Sequence, residues 1–239
     1  MNREPAPPAG PRGAGSPLRY RRSVPARELL DSIRAELAPA ESENRLVPLT
    51  ERGTAPRAVF GTIAAEESHI VRSDWRSLHL LASRSDGEAR EFFAGLAAGE
   101  GMALARLPAL AAAGGLDEAA LASYEPMAGC QAYPAYFTWL AVHAEPADVI
   151  IAIVANFAAW GDYCARIAAA MRTRYGLDDQ ACAFFDLFAT PVPEAVEQAV
   201  AAVQAGMDAG RSDERAARRY GRLFQTYELM FWNTIADQA

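Results

Sequence analysis

Two glutamates, Glu67 and Glu228, stand in the middle of apolar helical stripes. Taking a carboxylate out of water costs several kcal/mol unless something compensates it. At about 100° per residue, Phe60, Ile63, Ile70, Val71, Leu78 and Leu81 fall within roughly 60° of Glu67, and Asp74 falls among them. Glu66, His69, Arg72, Ser73 and Arg76 project elsewhere and are expected to face water. On the last helix Gly221, Phe224, Phe231, Trp232 and Ile235 surround Glu228, while Arg218, Arg219 and Arg222 lie mostly on the outer side. Glu100, between Gly99 and Gly101, shares a face with Phe93, Leu96, Ala103, Leu104 and Leu107. A buried glutamate holds its proton to higher pH, which suits general acid/base work near neutrality. Each acid taken singly reads equally well as a structural group capping a backbone or pairing with an arginine. Several of them converging favours a site.

The elements that must position these acids are helices. Ala-rich composition, few β-branched runs and stripes of period 3.6 predict helices at 25–38, 55–85, 87–113, 117–122, 128–144, 146–175, 178–188, 192–209 and 212–238. Gly87, Gly114-Gly115, Pro146, Gly176, Pro191, Pro193 and Ser212-Asp213-Glu214 punctuate them. No strand alternation competes, so the expected fold class is an all-α multi-helix bundle. Residues 25–239 read as one domain. Residues 1–24, with five prolines, three glycines and little apolar content, read as a disordered tail in which Arg19, Tyr20, Arg21 and Arg22 could touch a partner.

Composition narrows the function further. A formal net charge of -7 gives no basic footprint for nucleic acid. Cys130, Cys164 and Cys182 lack metal-ligand or disulfide spacing, so neither a metal site nor a disulfide framework is implied, and a reducing cytoplasm is the expected location. The longest apolar run, Val149 to Trp160, is broken by Asn156 and reads as too short to span a membrane. The start of the chain lacks the apolar core of a secretory signal.

The helix at 146–175 carries Val149, Ile153, Phe157, Trp160, Cys164, Ile167 and Met171 inward, with Asp148, Asp162 and Arg166 on the expected outer face and Asp162 with Arg166 as an i, i+4 pair. Asn156, Trp160 and Tyr163 share one flank, a polar amide among aromatics that could wall a flat ligand. An Asn bonded to a neighbouring helix among ordinary core aromatics fits the same pattern.

From about Asn44 to the end the chain resembles the thiaminase II-like (TenA) proteins, within the haem-oxygenase-like helical fold that also holds the PQQ biosynthesis oxidase. The resemblance runs through Arg52-Gly53-Thr54-Ala55-Pro56 leading to Phe60, Pro126 followed by Gln131-Ala132-Tyr133-Pro134-Ala135-Tyr136, the Asn156–Tyr163 helix, Phe184 to Phe188 before Pro191, and the closing Glu228-Leu229-Met230-Phe231-Trp232, similar to the family's E-x-x-F-W ending. It implies that Glu67 matches the acid that hydrogen-bonds a pyrimidine, usually Asp, and that Glu228 matches the acid managing protons at the leaving group. By the same resemblance Glu100 is similar to the family's third-helix glutamate, and Tyr133 and Tyr136 to its aromatic short helix. Ile70 falls where the family has a tyrosine. Asn156 falls where the thiamin-hydrolysing members carry a cysteine nucleophile, and an amide cannot be activated as a thiol can. Cys164 lies two turns farther on, roughly 12 Å along the helix, too far to take its place.

The expected site therefore comprises Glu67 and Glu228 as acid/base groups, with Asn156, Trp160, Tyr163, Tyr133, Tyr136, Ile70, Glu100 and Phe231 around a small aromatic or heterocyclic ligand, an aminopyrimidine by resemblance. No cofactor is expected. Resemblance also implies a homo-oligomer, dimer or tetramer. Two alternatives stay open: a carrier that binds without turnover, and a di-iron oxidase built on the acids, for which only His69, His79 and His143 could supply imidazoles.

Overall fold

The computed structural model describes residues 24–40 and 42–239. The tail expected at 1–24, with its arginines, lies outside them except for Val24, which is exposed. Among the described residues the secondary structure is entirely helical, in eleven helices: α1 Ala26–Leu37, α2 Leu46–Glu51, α3 Ala58–Ser83, α4 Gly87–Leu104, α5 Leu107–Ala113, α6 Glu118–Ala122, α7 Ala128–His143, α8 Pro146–Tyr175, α9 Asp179–Ala189, α10 Pro193–Asp208 and α11 Glu214–Ala236. The all-α expectation holds, and α8 has the bounds expected of it.

Three readings change. The helix expected at 87–113 is two, α4 and α5, because Pro108 falls in the first turn of α5, where it has no N–H to continue the preceding ladder. The short α2 was not expected; Asn44 starts it by accepting from the N–H groups of Leu46 (3.0 Å) and Val47 (3.1 Å). Asp148, expected outside, is buried, because the turn between α10 and α11 folds over the start of α8. Its carboxyl accepts from Ser212 Oγ (2.8 Å) and Asp213 N (3.0 Å), and Asp213 in turn caps α11 through the Arg215 and Ala216 N–H groups.

Two helices organise the rest. α3 packs against α4, α5 and α7, while α8 packs against α1, α2, α9, α10 and α11. α11 closes the body by lying on α7 and α8 and touching α3. One apolar cluster gathers Phe60, Ile63, Ile70, Ile167, Phe184, Phe231 and Trp232, and a second gathers Leu81, Phe93, Leu140, Ile150 and Phe224. By length and composition alone α8 could cross a membrane, which corrects the reading of it as too short, but 67% of its apolar window is buried inside this fold.

Close helix approach depends on glycine at a few points. A Cβ on Gly114 would sit 1.9 Å from the Gly61 nitrogen, so the end of α5 and the start of α3 meet backbone to backbone. Gly176 ends α8 in the left-handed region at φ 63°, letting the Leu177 N–H return to the Met171 carbonyl (3.0 Å).

Candidate functional site

Three helices bring four acids into one region. α3 supplies Glu67 and Asp74, two turns apart on the same face; α4 supplies Glu100; α11 supplies Glu228. Glu67 and Glu228 are each 3% exposed and Asp74 is 4% exposed, whereas Glu100 is partly covered as a residue. Tyr133 of α7 lies beside them, its hydroxyl near enough to the Asp74 carboxyl to favour the charged form of that acid. The helical stripes predicted this convergence, because each acid is flanked at i±3, i±4 and i±7 by side chains that must be buried.

Burial sets the electrostatics. Desolvation raises Glu67 well above the ordinary carboxylate range, and repulsion from Glu100, Glu228 and Glu66 raises it further. Desolvation, then Glu100 and Glu67, do the same to Asp74, although the Tyr133 hydroxyl opposes them. Glu100 is pushed up to about 8 by desolvation. Glu228 is pushed up to about 7 by desolvation, with the bonds it receives from Asn156 and Trp232 pulling the other way. No cation is among the groups acting on these four acids, and the sequence contains no lysine. The acids are therefore compensated by keeping protons rather than by ion pairing.

Asn156 of α8 fixes Glu228. Its Nδ2 donates to Glu228 Oε2, and Trp232 Nε1 donates to Oε1 at 3.3 Å. Both bonds steady the carboxylate form, so the group stays poised near neutrality instead of being locked into its acid form. Around it Trp160 packs on Trp232 (ring centroids 5.1 Å), Phe188 (5.6 Å) and Phe231 (6.4 Å), and Tyr163 meets Trp232 edge-on at 6.0 Å. Three buried polar atoms here have no hydrogen-bond partner: Asp74 Oδ1, Asn156 Oδ1 and the Tyr163 hydroxyl. Two surface hollows flank the acids rather than enclose Glu67 and Glu228. One, of about 270 Å³ between α3 and α4, is walled by Trp75, Glu100 and Leu104; the other, of about 570 Å³, by Arg34, Ala159, Tyr163 and Arg166.

Glu66 is a different kind of acid from its neighbour. Expected to face water, it is fully buried, because the segment between α6 and α7 folds over this side of α3. Its carboxyl accepts from Tyr124 OH (2.9 Å), Met127 N (2.7 Å) and Gln131 Nε2 (2.8 Å), which fastens the start of α7 to α3. Every strong donor near Glu66 is a neutral group bound to it, so its role is structural.

Of the residues singled out in the sequence, Glu67, Glu228, Asn156, Trp160, Tyr163, Tyr133, Glu100 and Phe231 come together. Ile70 lies one turn from Glu67 within the apolar core. Tyr136 stands apart, stacked on Trp139 (5.9 Å, 7° between planes) and packed on Tyr227 at the outer side of α7 and α11. Asp74 and Trp232, present on the inward stripes but not singled out, belong to the group. Cys164 is near enough to feel Glu67 and Glu228, but desolvation first, and then the two acids, drive its thiol up, the opposite of what a thiolate needs. Among the described residues no three His, Cys, Asp or Glu side chains stand in a metal-holding group.

No curated protein matches the sequence significantly. The fold is similar to that of several solved structures at low identity, three of which illustrate it. These are a TenA family transcription regulator from Silicibacter sp. TM1040 (TM-score 0.68, 18% identity, 87% of this chain and 96% of that one), a TenA homologue from P. horikoshii OT3 (0.63, 16%, 90% and 97%), and a domain of unknown function with a haem oxygenase-like fold from Shewanella denitrificans OS217 (0.57, 15%, 89% and 89%). The family model for TENA/THI-4/PQQC proteins matches residues 46–238, and the chain belongs to that family.

Proposed function

We propose that the chain binds a small, flat, nitrogen-rich heterocycle, an aminopyrimidine of the thiamin-salvage type, between α3, α7, α8 and α11, and hydrolyses a C–N bond beside it. The observation that carries this reading is a set of three buried acids, Glu67, Asp74 and Glu228, with the half-buried Glu100 beside them and no cation among the groups acting on them, next to three buried polar atoms without a partner. A protonated or strongly donating heterocycle supplies what that set lacks: N–H donors for Glu67 and Glu228 and an aromatic face for Trp160.

In the hydrolytic reading water is the nucleophile. Glu228 in its acid form gives its proton to the leaving nitrogen as the C–N bond breaks and the new C–O bond forms. The carboxylate then takes the proton released by the water, which returns Glu228 to its starting state. Asn156 holds Glu228 in position, and Glu67 holds the ring. An affinity near this site for 4-amino-2-methylpyrimidines, measured by calorimetry, is the first test. The second is Glu228→Gln, which is expected to lose turnover while retaining binding; unchanged turnover refutes the hydrolytic role.

Asn156 supports a second reading, a carrier that binds without turnover, since the amide anchors the acid and offers no nucleophile. Tight retention of ligand with no product distinguishes it. The same proposal places the protein in the cytoplasm, consistent with three free buried thiols, and as a homo-oligomer, for which the exposed Trp75, Trp139 and Val142 offer apolar surface. Sedimentation at low and high concentration tests the oligomer.

A further inference from the structure

We propose that Asp74, Glu100 and the Tyr133 hydroxyl form a second subsite, two helical turns along α3 from Glu67, which takes an alkylammonium arm of the ligand. The inference rests on the acid region being a ligand site, and it adds that the ligand carries a second cationic nitrogen there.

Asp74 carries the argument. It is 4% exposed and its Oδ1 has no partner, and the Tyr133 hydroxyl lies near the carboxyl. A buried acceptor left without a partner loses its hydration and gains nothing in return, so an apolar residue would serve packing better at this point. Glu66, a little over two turns earlier on a different face of the same helix, shows what a structural acid looks like in this fold: three donors at 2.7–2.9 Å. Asp74 has only the Tyr133 hydroxyl acting in favour of its charged form, and Glu100, once ionised, repels it. An ammonium group supplies three N–H donors and a positive charge, which satisfies Asp74 Oδ1 and relieves its repulsion with Glu100 together.

The surface beside Glu100 has room for a methylene arm. Glu100 also lines the hollow of about 270 Å³ between α3 and α4, whose other walls include Val71, Trp75, Gly101 and Leu104. A Cβ on Gly99 or Gly101 would meet nothing within 4 Å, so α4 leaves open space on both sides of Glu100. Arg72 and Arg76, on the rim, are exposed and keep their charges in water. Glu67 and Asp74 are separated by roughly 10 Å along α3, a span that sets the distance between the two nitrogens.

The test is calorimetric titration of the full chain at about pH 8 with 1,7-diaminoheptane, whose extended nitrogens match that span, and, as a control of equal apolar length, n-heptylamine. The diamine is expected to bind about tenfold or more tightly than the monoamine, because its second nitrogen engages an effectively tethered site. Asp74→Asn and Glu100→Gln are each expected to bring that ratio close to one; if one variant does not fold, the other decides. Equal affinities in the wild type, no binding of either amine, or a ratio that survives in a folded variant overturns the subsite. Failure of the wild type to bind aminopyrimidines, with the amine ratio intact and lost in the variants, overturns the heterocycle reading and leaves the subsite standing.

Discussion

Replacing Glu228 by glutamine tests the electrostatic account directly through stability, without a substrate. The carboxyl is displaced from 4.5 to about 7 by burial, against the pull of Asn156 and Trp232. At about 1.4 kcal/mol per pH unit this displacement is worth about 3 kcal/mol. The sign follows from proton uptake. The folded protein keeps the Glu228 proton where the unfolded chain releases it, so the stability tied to that proton is fully present below about pH 4.5. It is lost as pH rises and levels off above about pH 7.

Glutamine fits the same space with its bonds exchanged. Its oxygen accepts from Trp232 Nε1, and its amide donates to Asn156 Oδ1, which has no partner in the native protein, once the Asn156 amide turns over. Urea unfolding at pH 4.5 and pH 8 reads the effect. Wild type is expected to lose about 3 kcal/mol more than Glu228→Gln across that range, with equal m-values. The variant gains further at pH 8 because Glu67 is freed of one repelling neighbour. Against a typical total of about 5–15 kcal/mol, the difference is large enough to measure. Equal loss in both proteins would refute the account, since Glu228 would then be ionised throughout or exposed to solvent.

Other perturbations follow from the same contacts. Glu66→Ala strands Tyr124 OH, Met127 N and Gln131 Nε2 and is expected to cost on the order of 3–5 kcal/mol by chemical denaturation, with Glu66→Gln costing less. Asp148→Ala removes the acceptor for Ser212 and Asp213 and is expected to cost about 1–2 kcal/mol, with faster hydrogen exchange confined to the first turn of α11. Cys130, Cys164 and Cys182 are buried with their thiols raised, so a thiol reagent is expected to label them only at the rate of unfolding; rapid labelling of native protein contradicts their placement.

The helices were legible because their signals are local. Pro146 and Gly176 bound α8 where the sequence puts them, and the acid-bearing faces of α3 and α11 follow from a period that the letters carry. Glu67 and Glu228 were found for that reason. Glu66 was missed because its environment is made by a segment almost sixty residues away, Tyr124 to Gln131, which no periodicity in α3 announces. Asp148 was missed in the same way, through the turn at Ser212. Asp74 was visible on the stripe, but its meaning depends on Glu100 and Tyr133 from two other helices. Tyr136, three residues beyond Tyr133, is turned by the helix towards Trp139 and Tyr227, a separation of about 60° from the inward direction that a short aromatic cluster in sequence conceals.

Glu66 and Glu67 together separate structure from function. They are adjacent, equally buried and identical in type, so propensity, burial and desolvation do not distinguish them. Their partners do. Glu66 accepts from three neutral donors and ties two helices together; Glu67 is repelled by Glu100 and Glu228 and in turn raises the proton affinity of Asp74. A core that only needed to be stable would exchange Glu67, Asp74 and Glu228 for apolar residues, since a buried polar network left partly unsatisfied is worse than none. Retaining all three against that gradient is explained by an occupant that brings donors with it. Because such an occupant must displace protons or supply its own charge, its binding is expected to release protons to buffer between about pH 6 and pH 8, and titrations in buffers of different ionisation enthalpy measure that number.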